Sequence, residues 1–539
     1  MNSTGNDAPI LIIGAGLAGL SAALTVARAK RRCRLISVAP PERAQSVLAE
    51  GGTNAVLDTM GDHDTVEEHI ADTMRGGCFL ADEKAVRRLC ETAPLIIRDL
   101  EALGVPFNRN ADGTIAQRYF GGQKKRRTAF AGAMTGKMLM SALIDAVRKY
   151  EADDLVERYD HHAFCGLLHT ERTPDEEQAA QGTSGVYVQD LYTEEMLSFE
   201  GPVVLCSGGL NGMFPGHTTG TAYNTGEVTA IAFTQGIRLA NLEMIQYHPT
   251  TVAIPGKRLL VTEAARGEGG RLFVEKKGAG GEILTAPEGR YYFMEERYPA
   301  LGNLMPRDVV SREIDSILAD DHYGGRVFLD MTGIPADVWD ERLAELREEI
   351  LHYLGPDPAK VPVPVAPGIH YFMGGIDADA EHRTSLAGVY AAGECCALYH
   401  GANRLGGNST MGAMAGGRVA AESAMRYGYD IRDGRPGALA IDPLRQAANR
   451  LPEPDEELGD ILREGLGIVR NEASLQRALR RVTELERTRG NSTPRILLAK
   501  AMLKSAMQRK ESRGAHYRGD YPETLDACRR KTVIYATDL

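Results

Sequence analysis

The stretch "PILIIGAGLAGLSAALTVARA", residues 9–29, decides the fold of the amino-terminal region. Residues 9–13 are typical of a buried parallel strand, and residues 17–29 are typical of the helix that follows such a strand. The segment "RCRLISV", residues 32–38, predicts the next strand. A βαβ unit of this kind predicts an α/β fold with a Rossmann-like nucleotide-binding domain.

The turn between the first strand and the helix has the GxGxxG spacing, in "GAGLAG" from Gly14 to Gly19. Gly14 allows a tight turn, Gly16 lets the backbone approach a pyrophosphate, and Gly19 lets the helix pack closely on the strand. The helix amino terminus then offers N–H donors to phosphate. Ser37 stands where NAD-binding domains usually have an acidic residue, so a plain NAD site is disfavoured.

The same stretch contains an uncharged run, residues 8–27, that is long enough to be considered as a membrane span. The glycine spacing and the change from strand to helix pattern favour a buried βα unit instead. The segment "MNSTGND" before the run lacks the basic residues of a signal peptide. We therefore expect no membrane span in this chain.

Composition limits the classes of function. A chain of 539 residues with 43% hydrophobic and 25% charged residues predicts a globular protein of two or three domains. A net charge of −11 argues against nucleic acid as a partner. The eight cysteines form no CxxC motif, so we predict no metal site, no iron–sulfur cluster and a reducing, cytoplasmic setting. The pair Cys395–Cys396 is either redox-active or, as we favour, a pair of small packing residues.

Changes of pattern along the chain divide it into segments. We predict a nucleotide-binding domain in two parts, residues 1–234 and 356–430. An inserted α+β capping domain would occupy residues 235–355 and end in one amphipathic helix, "ADVWDERLAELREEILHYLG". Charged helical patterns from residue 431 to 539 predict a helical carboxy-terminal domain. The basic run "KKRR", residues 124–127, is interpreted as a solvated loop or face.

Further glycine clusters favour a cofactor that extends across the domain, as FAD does. One phosphate turn would suffice for the pyrophosphate of a dinucleotide, yet four more clusters follow the first. They are "EGGTNAV" (50–56), "SGGLNG" (207–212), "TGEV" (225–228) and "AAGECC" (391–396). The sequence therefore predicts FAD as the cofactor.

Several longer motifs together resemble one family. They are, in chain order, "LAEGGTNAV", "RYFGGQKKRRTAFAGAMTG", "QYHPTTV", "LLVTEAARGEGG", "MPRDVVSREI", "GIHYFMGGID", "AAGECCALYHGANRLGGNS" and "AMQRKESRGAHYRGDYPE". This order is similar to that of succinate dehydrogenase and fumarate reductase flavoproteins, and of L-aspartate oxidases. The resemblance covers almost the whole chain, and it implies that the two-part domain, residues 1–234 and 356–430, is an FAD-binding domain and that the insert is a capping domain.

The resemblance implies a C4-dicarboxylate site. Arg404 would clamp one carboxylate with His370 beside it, and His248, Thr262 and Glu263 would surround the other. Bidentate arginine suits a carboxylate by its geometry. Taken alone, either histidine would more often be structural, and it is their occurrence in ordered motifs that favours the site.

The resemblance also implies how protons move. Arg307 would deliver or remove the substrate proton, with Arg266 and Glu263 as its relay. Arginine is a poor acid because its pKa is above about 12. It can serve only where it is desolvated, close to other cations and rapidly reprotonated.

The implied FAD contacts extend along the chain. They are Gly14, Ala15, Gly16, Gly19, Ser37, Gln45, Ser46, Gly51, Gly52, Gly208, Gly209, Thr225, Glu227, Glu394, Arg404, Asn408 and Ser409. Gln45 departs from the pattern, because covalent flavoproteins of the family have histidine there. Glutamine cannot form the histidyl–flavin bond, so we expect noncovalent FAD and a bias toward fumarate reduction.

Phe120 distinguishes the branches. L-aspartate oxidases carry glutamate at the matching place, which can pair with the substrate ammonium group, and phenylalanine cannot. We therefore expect the flavoprotein subunit of a fumarate reductase or succinate dehydrogenase type of enzyme, with a separate Fe–S electron-transfer subunit as partner. It would lie in the cytoplasm or at the inner membrane through partner subunits.

Three alternatives stay open at this point. The first is L-aspartate oxidase, which oxidises L-aspartate to iminoaspartate. The second is a nonenzymatic FAD-binding assembly subunit. The third is a reductase whose substrate is a fumarate analogue, since the family also reduces other activated alkenes.

Overall fold

A computed structural model describes residues 8–120, 122–169, 182–427 and 453–539. The amino-terminal part is built on a five-stranded parallel sheet, and the predicted order of strand, helix and strand at residues 9–38 is observed. All four residues of the first strand are buried, as expected of a strand covered on both faces.

The strands, in chain order, have the following bounds. They are β1 Ile10–Ile13, β2 Cys33–Ser37, β3 Thr53–Asn54, β4 Gln117–Arg118, β5 Thr128–Ala129, β6 Val156–Asp160, β7 His162–His169, β8 Thr183–Asp190, β9 Met196–Glu200, β10 Val203–Leu205, β11 Leu239–Ala240, β12 Ile245–Ile254, β13 Lys257–Leu260, β14 Arg271–Lys276, β15 Arg290–Tyr291, β16 Tyr323–Asp330, β17 Val363–Phe372, β18 Gly375–Ile376, β19 Val389–Ala391, β20 Val469–Arg470, β21 Tyr517–Arg518 and β22 Val533–Ile534.

The α-helices are numbered in the same way. They are α1 Leu17–Arg28, α2 Val66–Gly76, α3 Glu83–Ala102, α4 Thr135–Glu151, α5 Glu227–Thr234, α6 Glu263–Gly267, α7 Phe293–Arg297, α8 Arg307–Leu318, α9 Ala336–Arg342, α10 Ala344–Leu354, α11 Asn408–Tyr427, α12 Glu456–Gly465, α13 Glu472–Arg489 and α14 Pro494–Gln508.

The parallel sheet has the order β19-β10-β1-β2-β6. The turn after β1 needs glycine, because Gly14 has a φ of +110° and an added Cβ would lie 2.2 Å from the carbonyl oxygen of Cys206. At Gly19 an added Cβ would lie 1.8 Å from the carbonyl oxygen of Gly14, so only glycine lets α1 start this close to the strand. The predicted α/β fold class is confirmed.

The capping region is built on a second sheet, which is antiparallel and has the order β13-β12-β17-β16-β14-β15. Helices α8, α9 and α10 share an apolar core with this sheet. The part after residue 453 is mainly helical, with α12, α13 and α14, although β22 pairs with β11 in a small sheet. Among the described residues, no helix is both long enough and apolar enough to cross a membrane.

Two strands connect the apolar core of the amino-terminal part, the amino-terminal core, with the apolar core of the capping region, the capping core. β12 has Ile245 in the amino-terminal core and Val252 in the capping core. Its antiparallel neighbour β17 runs from Val363 in the capping core to Phe372 in the amino-terminal core. The predicted boundary at 355/356 therefore precedes a strand that the two cores share. The boundary at 430/431 lies outside the described residues, and the domain limits stay predictions.

Two local expectations from the sequence are wrong. The single helix expected at the end of the capping region is divided into α9 and α10 at Leu343, which has a φ of −125° and is buried in the capping core. The basic run is not all solvated, because Arg127 is fully buried. Its guanidinium pairs with Asp64 at 2.8 Å and with Asp72 at 2.9 Å.

Candidate active site

The central residues of the candidate site lie on the two strands that join the cores. Gln246 and His248 belong to β12, and His370 belongs to β17. The pairing register of these strands shifts between Gln246 and Tyr247 and again after His248. Irregular pairing of this kind re-aims side chains that would otherwise alternate across a sheet.

Glu263 lies between two arginines. Its Oε2 accepts hydrogen bonds from Nε and Nη2 of Arg307, at 3.2 and 2.9 Å, and its Oε1 accepts one from Nη2 of Arg266 at 3.2 Å. All three side chains are buried. Burial alone would raise the pKa of Glu263, but Arg307 and Arg266 lower it on balance, so this carboxylate is charged.

Arg266 makes a further hydrogen bond outside this pair. Its Nη1 donates to the carbonyl oxygen of Asn303 at 2.5 Å. Burial lowers its pKa, and Glu263 opposes that effect. The three side chains therefore form a continuous hydrogen-bonded chain, Arg266–Glu263–Arg307.

Arg404 approaches the same place from the other core. Its Nη1 donates to Oγ of Ser409 at 3.0 Å and its Nη2 donates to Oε1 of Gln246 at 3.0 Å. Nη1 of Arg307 donates to the same Gln246 oxygen at 3.2 Å. Burial, together with the charge of Arg307, lowers the pKa of Arg404 to about 10. The sequence did not single out Gln246, although "QYHPTTV" contains it.

The two histidines pack edge to face, with their ring centroids 5.3 Å apart. Burial and the nearby Arg307 hold the pKa of both His248 and His370 well below the usual range, so both imidazoles are neutral. Nδ1 of His370 lies 2.8 Å from the hydroxyl oxygen of Thr219, which no local sequence pattern had indicated. Nδ1 of His248 lies 3.2 Å from the carbonyl oxygen of Thr250.

A single cleft extends from the glycine turn of β1 and α1 to these arginines and histidines. It brings together most of the predicted site residues. Those that line it are Gly14, Ala15, Gly16, Ser37, Gln45, Ser46, Gly51, Gly52, Phe120, Gly208, Thr225, Glu227, His248, Thr262, Glu263, Arg307, His370, Glu394, Arg404 and Ser409.

Four predicted residues lie outside this lining. Gly19 and Gly209 are glycines whose added Cβ atoms would collide with Gly14 and Glu394, so their roles are in packing. Arg266 does not line the cleft, and its side chain is linked to the lining through Glu263. Asn408 is buried, where its Oδ1 accepts from Asn54 and lies 3.1 Å from Nε2 of His69.

The cleft suits an extended dinucleotide with polar groups along its length. Gly16 opens the start of α1, where Oγ of Ser46 accepts from the backbone N–H of Leu17 at 3.2 Å. Among the described residues, buried polar atoms without a hydrogen-bond partner include Oε2 of Glu227, Nε of Arg404 and Nε2 of His248. Buried polar atoms normally have partners, so these atoms fit the needs of a bound ligand.

Gln45 and Phe120 are both placed at this cleft. Oε1 of Gln45 accepts from the backbone N–H of Thr221 at 2.6 Å, which holds the amide against the cleft wall. The ring of Phe120 lies against Gly51 and Gly406, where added Cβ atoms would approach it to 2.3 and 1.8 Å. The two glycines are therefore needed to seat this ring at the cleft.

Comparison with known proteins agrees with this geometry. Residues 9–410 match the family model described as FAD binding domain, and residues 493–538 match that described as fumarate reductase flavoprotein C-term. The succinate dehydrogenase flavoprotein subunit of Bacillus subtilis is 34% identical, over 98% of this chain and 94% of its own length. The fumarate reductase flavoprotein subunit of Escherichia coli is 33% identical, over 95% and 88%.

Solved structures give the same result. A variant of FrdA from E. coli quinol fumarate reductase superposes with a TM-score of 0.80 at 30% identity, covering 96% of this chain and 92% of that one. Mycobacterium smegmatis Sdh1 in complex with UQ1 gives 0.79 at 30%, covering 97% and 90%. The chain therefore belongs to the family of succinate dehydrogenase and fumarate reductase flavoprotein subunits, which are FAD-dependent oxidoreductases acting on CH–CH bonds.

Proposed function

We propose that this chain reduces fumarate, or a closely similar C4-dicarboxylate, with noncovalently bound FAD and with Arg307 as the proton donor. The observation that carries the proposal is the meeting of Arg307 and Arg404 on one Gln246 oxygen, at the end of a cleft that begins at the nucleotide turn. Two buried guanidinium groups at this place fit a dianion, since arginine binds carboxylates in a bidentate manner.

The binding roles follow from the cleft. Arg404 and His370 would hold one carboxylate of the substrate, and His248 and Thr262 would lie at the other. Neutral imidazoles can donate a hydrogen bond to a carboxylate without adding charge. If the two ends are held so that one carboxylate is twisted out of conjugation, the alkene carbon becomes a better hydride acceptor.

The chemical step needs a hydride and a proton. FAD, when bound along the predicted contacts of the cleft and reduced by the partner subunit or by viologen, would supply the hydride at N5. Arg307 would donate the proton to the other alkene carbon from the opposite face. The hydrogen-bonded chain Arg266–Glu263–Arg307 supports rapid reprotonation, because the Glu263 carboxylate contacts both guanidinium groups.

Phe120 supports a substrate without an ammonium group. It lines the cleft and offers no partner to a positive charge. Burying an unpaired ammonium group would cost several kcal/mol. The relatives named above carry succinate dehydrogenase or fumarate reductase names, which gives no support to the aspartate oxidase alternative.

The partner subunit and the physiological direction of the reaction are also part of the proposal. The relatives are named as subunits, which supports a separate electron-transfer partner that contains Fe–S clusters. Gln45 in place of the flavin-linking histidine supports a bias toward fumarate reduction. The chain would act in the cytoplasm, or at the inner membrane through partner subunits.

A direct assay tests this function. The purified holoenzyme is given reduced viologen with fumarate in one arm, and L-aspartate with oxygen and peroxide detection in the other. We expect viologen oxidation with fumarate and no peroxide above background. Robust aspartate oxidation with negligible fumarate reduction would replace this assignment by aspartate oxidase.

The state of the cofactor is tested separately. Because Gln45 cannot bond to the flavin, acid precipitation of the holoenzyme should release all of the yellow colour into the supernatant. The residual absorbance of the redissolved pellet measures any covalent flavin. Flavin that stays with the denatured chain would contradict noncovalent binding.

A further inference from the structure

We infer that Gln246 is a positioning residue that, together with Asn403 and Asp308, forms a latch between the capping core and the amino-terminal core. This latch holds Arg307 at a fixed distance from Arg404. The inference rests on the proposed function, because that function assigns the roles of the two arginines. It adds a group that would contact neither the hydride nor the transferred proton, but would act through both arginines.

The first observation is the shared acceptor. Oε1 of Gln246 accepts from Nη1 of Arg307 at 3.2 Å and from Nη2 of Arg404 at 3.0 Å. All three side chains are buried. Two guanidinium groups that face each other in a dry cleft repel, and a carbonyl dipole placed between them offsets part of that repulsion.

The second observation is that the amide of Gln246 is fixed in orientation. Its Nε2 donates to Oδ1 of Asn403 at 2.8 Å and to the carbonyl oxygen of Arg404 at 3.0 Å. A flipped amide would face two acceptors with its oxygen and two cations with its nitrogen, so all four hydrogen bonds would be lost. Gln246 thus has both donors and both lone pairs of its oxygen in use.

The third observation closes a ring. Nδ2 of Asn403 donates to Oδ1 of Asp308 at 2.9 Å. Asp308 follows Arg307 at the start of α8, and Asn403 precedes Arg404 in the chain. The pair Arg307–Asp308 is therefore linked twice to the pair Asn403–Arg404. Asp308 bonds directly to Asn403, and Gln246 joins Arg307 to Arg404.

The ring joins parts of the molecule that have separate cores. Helix α8 packs into the capping core through Val310 and Ile314. The loop that holds Asn403 and Arg404 leads into α11, which packs in the amino-terminal core. Gln246 lies on β12, at the point where that strand passes between the cores.

The consequence is geometric. A proton donor and a carboxylate clamp must keep a fixed separation if the alkene is to be protonated on one carbon. A displacement of about 1 Å in such a group costs on the order of 10²-fold in rate. The ring is a set of buried and half-buried hydrogen bonds that fixes this separation across the two cores.

The principal test is Gln246→Met, which keeps the side-chain volume and removes all four hydrogen bonds. Fumarate reduction by the FAD-loaded variant should lose about 10²-fold in kcat/KM, with flavin content unchanged. Gln117→Met is the matched control, because Gln117 is equally buried and bonds to Ala55 away from the cleft. It should keep kcat/KM near that of the unsubstituted chain.

A conservative pair separates latching from simple structural damage. Asp308→Ala removes the acceptor for Asn403, whereas Asp308→Asn keeps an oxygen there, and both remove the ion pair with Arg312. We expect kcat/KM to fall in Asp308→Ala and to be largely rescued in Asp308→Asn. The effects of Gln246→Met and Asn403→Ala should be less than additive, since both open the same ring.

The position of the capping core has its own readout. Trp339 is the sole tryptophan of the chain and is buried in that core. With malonate bound as a dicarboxylate probe, energy transfer from Trp339 to bound FAD should be lower in Gln246→Met than in the unsubstituted holoenzyme. It should be unchanged in Gln117→Met.

The outcomes separate the two proposals. If the unsubstituted holoenzyme reduces fumarate and Gln246→Met stays within about twofold of it, the latch is wrong and the proposed function stands. Equal impairment of Asp308→Ala and Asp308→Asn would also overturn the latch. If the unsubstituted holoenzyme neither binds malonate nor reduces fumarate, the proposed function is wrong and the latch falls with it.

Discussion

Arg307 is the arginine of the cleft that contacts both Glu263 and Gln246. This position supports the proposed role of Arg307 as proton donor, since Glu263 links it to Arg266 and Gln246 links it to Arg404. Arg404, which also lines the cleft, bonds to Ser409 and Gln246 but not to Glu263, and this fits its proposed role in binding a carboxylate.

Arg307→Gln should therefore lose turnover but keep the cofactor. We expect kcat for fumarate reduction to fall by about 10²–10⁴-fold, the usual scale for a general acid, with FAD content unchanged. Arg326→Gln, on an exposed position of the capping sheet, is the control. Near-normal turnover of Arg307→Gln would rule out its role as proton donor.

Phe120 has a different role, because it places an uncharged ring at the cleft. Phe120→Glu puts a carboxylate there and should raise KM for fumarate, a dianion, by electrostatic repulsion. Steady-state kinetics at low and high salt measure the effect. Tyr119→Glu, on the exposed neighbouring side chain, adds the same charge outside the cleft lining and should leave KM nearly unchanged. An equal rise in both variants would point to a general charge effect instead.

At the scale of elements, the irregular pairing of β12 with β17 positions the site. The two strands pass between two apolar cores, and their polar residues are turned into the gap where the cores meet. The burial of Arg127 also depends on contacts between elements, because this residue directly precedes β5 and pairs with Asp72 of α2. Its pairing with Asp64 and Asp72 ties β5 to that helix.

Removing this buried cation should be costly. Arg127→Ala removes the buried cation that pairs with Asp64 and Asp72, although Asp72 keeps its ion pair with the more exposed Arg75, and we expect a loss of about 3–5 kcal/mol of folding free energy. Arg126→Ala breaks a half-exposed pair with Asp62 and should cost at most about 1 kcal/mol. Urea titrations followed by far-ultraviolet circular dichroism measure both. Equal midpoints for the two variants would contradict the structural role of Arg127.

At the scale of the whole molecule, Glu50 lies where the two cores face each other across the cleft. Desolvation of this half-buried carboxyl, reinforced by the charge of Glu349 on α10 and opposed by Arg118, raises its pKa to about 8. The unfolded chain loses this proton near its ordinary pKa of 4.5, whereas the folded chain holds it until about pH 8. Folding therefore retains a proton in this interval, and stability falls as the pH rises from about 5 to 8.

Glu50→Gln removes that dependence and keeps the shape of the side chain. The thermal midpoint of the variant should exceed that of the unsubstituted holoenzyme by an amount that grows between pH 5 and pH 8. Differential scanning fluorimetry across this range measures the difference. A difference that is constant with pH, or that shrinks as the pH rises, would show that Glu50 is not the group responsible.

The sequence by itself determined the nucleotide-binding unit, the cofactor class and the family. These depend on local patterns, such as the strand, glycine turn and helix of residues 9–29, or on motifs in a recognisable order. It also indicated most of the residues that line the cleft, because each lies in such a motif.

Only the tertiary structure decided how those residues act together. Gln246 and Arg404 are 158 positions apart, and Thr219 and His370 are 151 apart, so no local pattern could pair them. The sequence predicts Arg127 to be one member of an exposed basic run, and only the structure shows that it is buried beside Asp64 and Asp72. The physical reason is the same in each case: a polar group is defined by its hydrogen-bond partners, and in the interior those partners come from distant parts of the chain.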